Sequence, residues 1–270
     1  MRKIFYEIGT TKKQKEDTTK REMVLFCLSD LHGTCYEPGN RPIIECAWNQ
    51  KPDLILASGD MLSGDREEGD AIAVALLSRL SDLAPVCFVN GNHEMCVERH
   101  QPERYQKFMD DLKNGGVQVL HNETAWFWID GEKVAVTGYE LPWEYYRRLP
   151  WEYYRRFSRR HPSVVGMERS IGKRKQDAYQ ILLTHNPVFF EEYAAWGADF
   201  TFAGHLHGGF IRLPYFGGVI SPQFQLFPKY DHGLYQMDTS SMVVGAGMGN
   251  HSGLFRINNP TEIVTVRIKR

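Results

Sequence analysis

The sequence predicts an α/β layered fold, on two observations. Short apolar runs rich in β-branched and aromatic residues recur along the chain, and helix-like stretches such as Glu68 to Leu83 are interleaved with the early ones. The runs are Met23 to Leu28, Leu54 to Leu56, Val86 to Val89, Ile181 to Leu183 and Phe200 to Ala203, each reading as a buried strand. The second observation is that a polar cluster follows every run: Asp30-Leu31-His32-Gly33, Gly59-Asp60, Gly91-Asn92-His93-Glu94, Thr184-His185-Asn186-Pro187 and Gly204-His205-Leu206-His207-Gly208-Gly209. In layered α/β proteins the loops beyond the carboxyl ends of strands gather on one edge, so clusters far apart in sequence can converge there.

In chain order, residues 1–22 read as a polar N-terminal leader, because only Ile4-Phe5 is apolar before the run Thr10 to Asp17. Residues 23–270 read as a single domain, since 42% hydrophobic residues over this length fill one large core. An insertion is expected at about 141–162, where Leu-Pro-Trp-Glu-Tyr-Tyr-Arg-Arg is written twice, from Leu141 and from Leu149. Two copies are too few for a solenoid, and the segment reads as a surface excursion or as a flap whose arginines and aromatics suit an anionic membrane. Beyond Phe210 the chain is rich in Gly, Pro and aromatics, and Glu262 to Lys269 alternates like a strand with a polar face, so a second sheet is expected there.

Composition narrows the function classes. A formal net charge of -1 gives no basis for a stable nucleic-acid partner. Five cysteines, odd in number and without C-x-x-C spacing, argue against a disulfide framework or a zinc ribbon and fit reduced thiols in a cytoplasmic protein. No signal peptide or membrane span is expected, which leaves a cytoplasmic location with peripheral membrane contact as an option.

Two Asp carboxylates, one Asn carbonyl and four imidazoles form a mixed nitrogen and oxygen donor set without thiolate, suited to Mn, Fe or Zn. Asp-x-His and His-x-His place both members of each pair on one side of an extended strand end. The expected metal ligands are Asp30, His32, Asp60, Asn92, His185, His205 and His207, with Asp60 as the natural bridge. Any one of these alone would more often be a turn or a hydrogen-bonded structural residue; their ordered recurrence at five strand ends is what carries the reading. His100, His121, His161, His232 and His251 lack that setting and are assigned structural or surface roles.

The order D-x-H, G-D, G-N-H-E, H and G-H-x-H resembles the calcineurin-like metallophosphoesterase superfamily from about Met23 to Lys269. Arg212-Leu213-Pro214, Phe227-Pro228-Lys229-Tyr230 and Gly233-Leu234-Tyr235 resemble its bacterial phosphodiesterase branch of YkuE-like and YaeI-like proteins, related to UDP-2,3-diacylglucosamine hydrolases. The resemblance implies a four-layer αββα sandwich with two mixed sheets and two divalent metal ions, one on Asp30, His32, Asp60 and His207 and the other on Asp60, Asn92, His185 and His205. It also implies His93 as the catalytic histidine and attack of a metal-bridging hydroxide on phosphorus. Where the superfamily's phosphoprotein phosphatases carry Asp-Arg, this chain has Ser63-Gly64, so a phosphodiester or pyrophosphate-containing substrate, lipid or nucleotide, is expected. The alternatives are a phosphomonoesterase, with Arg212 or Lys229 standing in as the phosphate clamp, and a non-catalytic scaffold of the same fold.

Overall fold

All five apolar runs become strands. The computed structural model describes residues 1–9, 21–64, 66–146, 161–213, 217–221, 226–250 and 256–269. The first half of the chain runs β1 (Arg2–Gly9), β2 (Met23–Leu28), α1 (Arg41–Gln50), β3 (Leu54–Ala57), α2 (Glu68–Ser81), β4 (Val86–Phe88), α3 (Asn92–His100), α4 (Pro102–Asn114) and β5 (Gln118–Val119). The second half runs β6 (Thr124–Ile129), β7 (Glu132–Tyr139), α5 (Val164–Ile171), β8 (Tyr179–Thr184), α6 (Phe190–Trp196), β9 (Phe200–Ala203), β10 (Arg212–Leu213), β11 (Gly217–Gly218), β12 (Gly233–Met237), β13 (Ser240–Val244) and β14 (Glu262–Lys269).

Two six-stranded mixed sheets result, ordered β1-β14-β2-β3-β4-β5 and β12-β13-β9-β8-β7-β6. Strands β2, β3 and β4 are mutually parallel, as are β7, β8 and β9, so the carboxyl ends that carry the polar clusters lie together at one edge of each sheet. Three apolar layers separate four layers of structure. Phe26, Leu28, Ile55 and Phe88 pack outward against Ile43, Leu76, Leu77, Phe108 and Leu112 of the first helices. Leu25, Cys27, Leu56 and Cys87 meet Val134, Val136, Ile181, Leu183 and Phe202 between the sheets. Leu182, Met242 and Val244 pack on Met167, Phe190, Tyr193 and Trp196 of α5 and α6. The fold is the expected αββα sandwich, in which successive residues of one strand point to opposite layers. All five cysteines are free, and Cys27 and Cys87 fill the central layer.

Three expectations are corrected. The leader divides, because Arg2–Gly9 is an edge strand paired in parallel with β14; Ile4, Tyr6 and Ile8 turn inward while Lys3, Phe5 and Glu7 stay out. Residues 10–20 of the leader lie outside the described residues. The C-terminal strand joins the first sheet, antiparallel to β2, and is buried along nearly its whole length instead of carrying a polar face. The expected second sheet at the C-terminus is instead built on β7, β8 and β9, to which β12 and β13 add.

The expected insertion also begins inside the core. Leu141 and Tyr146 are buried, and Tyr145 packs edge-on against Phe189 with ring centroids 5.5 Å apart. The first octapeptide copy, through Tyr146, is therefore part of the third apolar layer. The second copy, Leu149 to Arg156, lies outside the described residues, as do Arg147, Arg148, Arg159, Arg160 and His251. No helix among the described residues is long and apolar enough to cross a membrane.

Candidate metal centre

Each polar cluster begins where its strand stops. Asp30 and His32 follow β2, Asp60 follows β3, Asn92 and His93 open α3 just after β4, His185 follows β8, and His205 and His207 follow β9. Backbone hydrogen bonds knit these loops together: the Asp30 amide donates to Gly59 O at 3.0 Å, His32 to Asp60 O at 3.0 Å, and Gly204 to His185 O at 3.0 Å. Close approach explains the neighbouring glycines. A Cβ on Gly91 would stand 2.2 Å from Asp60 Oδ1, and one on Gly204 would stand 2.3 Å from Asp30 Oδ2.

Five of the seven expected ligands hold left-handed backbone, with φ of 52° at Asp30, 48° at His32, 52° at Asp60, 70° at His205 and 50° at His207. Such conformations cost about 1 kcal/mol or more apiece in residues other than glycine, against a net stability of about 5–15 kcal/mol, so the surrounding hydrogen bonds must enforce them. Strain concentrated at the ends of three strands that meet at one point is the signature of a built site.

The side chains converge as three overlapping groups, one of them His32, Asp60 and His93. Asp30, His32 and His207 can each offer one ligand atom within 4.8 Å of one another, and so can Asp60, His185 and His205. His207 Nε2 lies 3.3 Å from Asp30 Oδ1 and 3.2 Å from His32 Nε2. His185 Nε2 lies 3.2 Å from Asp60 Oδ2 and 3.9 Å from Asp30 Oδ1, close enough for charge attraction yet outside hydrogen-bond geometry. Asn92 Oδ1 is buried with no hydrogen-bond partner. A buried amide oxygen without a donor is costly, and a cation would satisfy it. The donor set and this orphaned oxygen both fit divalent metal ions.

Electrostatics sharpen the picture. Burial pushes the Asp30 carboxyl up to about 6, against the pull of His185 and with a further push from Asp60. Burial also raises Asp60, but His185, His93 and His32 outweigh it and hold Asp60 well below the usual carboxylate range. His185 would fall on burial, yet Asp60 and Asp30 lift it to about 9. A nearly solvent-free nest of two carboxylates and four imidazoles is thus strongly coupled before any cation enters.

His93 stands beside this nest. Its Nδ1 accepts the Gly64 amide at 3.1 Å, which leaves the ring proton on Nε2, 4.0 Å from Asp60 Oδ2. Ser63-Gly64, the departure from the phosphatase pattern, therefore sets the histidine's tautomer through a backbone donor. The His93 amide, in the first turn of α3, donates to Asp60 Oδ1 at 2.8 Å.

Four contributors carried no assigned role in the sequence. Glu94, within the quoted G-N-H-E, accepts the amides of Asp60, Met61, Leu62 and Gly91 at 2.8–3.1 Å and so fixes the Asp60 turn. Arg104 grips the next loop through Ser63 O and Arg66 O while paired with Asp70. Tyr146, from the octapeptide, sets its ring edge-on to His205 at 5.2 Å and tilted over His185 at 6.0 Å. Arg256 contacts His207 and belongs to no motif. The cations named as phosphate-clamp alternatives are engaged elsewhere: Arg212 with Asp231 and Gly208 O, Lys229 with Glu191 at the surface. His121, His161 and His232 pair with Glu140, Glu192 and Glu262, and His100 contacts its own helix, as residues of structural type do.

A family model described as Calcineurin-like phosphoesterase matches residues 23–209, more than two thirds of the chain. The chain is 25% identical to phosphodiesterase YaeI of Escherichia coli over 247 residues, covering 91% of this chain and 81% of that protein. It is 26% identical to an uncharacterized metallophosphoesterase of Aquifex aeolicus, covering 98% and 90%. Among solved structures, the sulfate thiohydrolase SoxB of Thermus thermophilus shares the fold with a TM-score of 0.50 at 13% identity, covering 85% of this chain and 53% of that one.

Proposed function

The chain belongs to the calcineurin-like phosphoesterase family, and from that premise we propose that it is a dinuclear metal-dependent phosphodiesterase. The observation that carries the reading is the pair of donor groups, Asp30/His32/His207 and Asp60/His185/His205, side by side with Asp60 between them and the orphaned Asn92 oxygen beside it. Asp30, His32, Asp60 and His207 would hold one ion, and Asp60, Asn92, His185 and His205 the other. Two such ions, Mn, Fe or Zn by donor chemistry, would lower the pKa of a shared water and neutralise phosphoryl oxygens.

The remaining steps belong to the chain's own residues. Asp60, which groups with His32 as well as with His185 and His205, would help hold both ions and balance their charge. Glu94 keeps the Asp60 turn rigid through four amides, which fixes the distance between the two halves. His93, with its Nε2–H on the side of Asp60, serves as the acid beside the departing ester oxygen, hydrogen-bonding it as its negative charge develops. Tyr146 closes the His185/His205 side with an aromatic wall.

A diester substrate, of lipid or nucleotide type, is supported by the engagement of Arg212 with Asp231 and of Lys229 with Glu191, which leaves neither placed as the phosphate clamp. Metal analysis of the purified protein, combined with turnover of matched aryl diester and monoester substrates under one metal, tests both parts. The expected result is two ions per chain and faster diester hydrolysis; a monoester preference overturns the diesterase reading. The free thiols favour a reducing, cytoplasmic setting. The cationic and aromatic octapeptide supports transient contact with anionic membranes, tested by sedimentation with anionic vesicles at low and raised salt.

A further inference from the structure

Two imidazoles that face the shared carboxylates are backed in opposite ways. His185 Nδ1 lies 2.6 Å from Ser58 O. A carbonyl only accepts, so Nδ1 holds its proton, and the Nε2 proton drawn toward Asp60 is the one a metal ion displaces. This imidazole then ligates through Nε2 with its Nδ1 contact unchanged.

His207 is the reverse case. Its Nδ1 lies 3.0 Å from Nη2 of Arg256. A guanidinium has donors only, so Nδ1 accepts, and the neutral ring carries its proton on Nε2, the atom 3.3 Å from Asp30 Oδ1. Arg256 is pinned in that place, with Nη1 donating to Ala246 O at 2.6 Å and Nη2 to Gly249 O. For His207 Nε2 to ligate, the ring proton must move to Nδ1, where it would meet the Arg256 N–H donor to donor. Arg256 then has to withdraw from His207 and strain its two carbonyl contacts. Its positive charge also opposes a second cation nearby.

On the dinuclear reading above, we propose that Arg256 makes the Asp30/His32/His207 position the weaker and later-filled of the two. The His185 side takes its ion first, and occupancy of the other position follows free metal concentration. Nothing in the Ser58–His185 contact requires such a rearrangement, so the asymmetry resides in one side chain.

The test is a titration of the metal-stripped full-length protein with Mn²⁺, following free and bound ion. Two steps are expected, separated by about tenfold or more in affinity, the range that partners of metal-ligating histidines command. Arg256→Met tightens the weaker step by about tenfold and leaves the tighter one unchanged; Arg256→Gln, which keeps a donor for the Ala246 and Gly249 carbonyls, does the same in lesser degree and serves if the Met variant misfolds. His207→Asn removes the weaker step and His185→Asn the tighter. Two ions binding with equal affinity, an Arg256→Gln variant whose weaker step is unchanged or weakened, or loss of the tighter step in His207→Asn overturns this inference alone. Failure of the parent protein to bind Mn²⁺ or Zn²⁺ at all removes the metal-centre reading and this inference together.

Discussion

The two sheets contribute unlike halves to the site. The first supplies Asp30, His32, Asp60, Asn92 and His93, hence both carboxylates and the orphaned amide oxygen, and holds them by main-chain hydrogen bonds and by Glu94. The second supplies only imidazoles, His185, His205 and His207, on the ends of two adjacent parallel strands. Its glycine-rich loop is braced by side chains: Asn259 donates to His207 O and Gly209 O, Arg212 to Gly208 O, and Arg256 contacts His207. Both carboxylates are thus placed where the backbone fixes them, while His207 sits in a loop that side chains brace. A carboxylate shifted slightly in a low-dielectric site changes the energy more than an imidazole does, which favours this division.

The sharpest way to break the comparison is to neutralise the first half. Asp60→Asn is expected to lose most of the metal and nearly all activity, because it removes the negative charge between two cations. Metal content and turnover check it, and a variant that keeps two ions and normal turnover would make the two halves equivalent.

His93→Asn should act within the first half without touching the ligands. Metal content stays, and turnover falls by about 10² to 10⁴, the usual contribution of a positioned general acid. The loss should shrink with an activated leaving group; unchanged rates on a poor one would refute the acid role.

Removing metal exposes the charge imbalance between the halves as a pH dependence of stability. His185 is lifted to about 9 in the folded protein from an ordinary 6.5, so its contribution is fully present below 6.5 and is lost as pH rises toward 9. Glu94, pushed up to about 7 chiefly by burial and by Asp60, and Asp30, at about 6, act in the same direction at lower pH. Asp60, held low by the same histidines, contributes above its ordinary range and loses that contribution in acid, but its attraction to His185 is one interaction and counts once. Chelated protein should therefore unfold more easily at pH 9 than at pH 6.5, by on the order of a few kcal/mol. Bound metal should flatten the profile. Denaturant midpoints with and without chelator measure it, and a flat chelated profile would show that the halves are not coupled as described.

The smallest effect is expected from deleting the second octapeptide copy, Leu149 to Arg156. Tyr146 and its contacts with His185 and His205 belong to the first copy, so metal content and turnover of a small soluble diester should be nearly unchanged, while sedimentation with anionic vesicles weakens. A large loss of turnover would show that the wall beside the second half depends on both copies.

Much of this architecture was legible before any coordinates. Met23–Leu28 and Phe200–Ala203 are strands with the expected bounds, and the other three runs differ only at their ends, because strands buried on both faces need unbroken apolar sequence. The convergence of Asp30, His32, Asp60, His185, His205 and His207 was legible for a related reason: a polar cluster directly after such a run has one place to go. Strands whose identity depends on a distant partner were read less well. Arg2–Gly9 looked like a leader because its inward Ile4, Tyr6 and Ile8 make sense only against β14, more than 250 residues away, and Glu262–Lys269 was given a polar face that its place between β1 and β2 buries.

The sequence by itself determined the layered α/β class, the strand ends and the chemistry of the donor set, since all three follow from local patterns of apolar and polar residues. Tertiary structure alone decided which sheet each strand joined, that Tyr146 lies against His185 and His205, that a Gly64 amide sets the His93 tautomer, and that Arg256 rather than Arg212 or Lys229 reaches the site. Those contacts join residues whose separation along the chain carries no periodic signal. Their partners are fixed only when two sheets and their loops have packed, because hydrogen-bond donors and acceptors find each other across space and leave no mark in the order of residues.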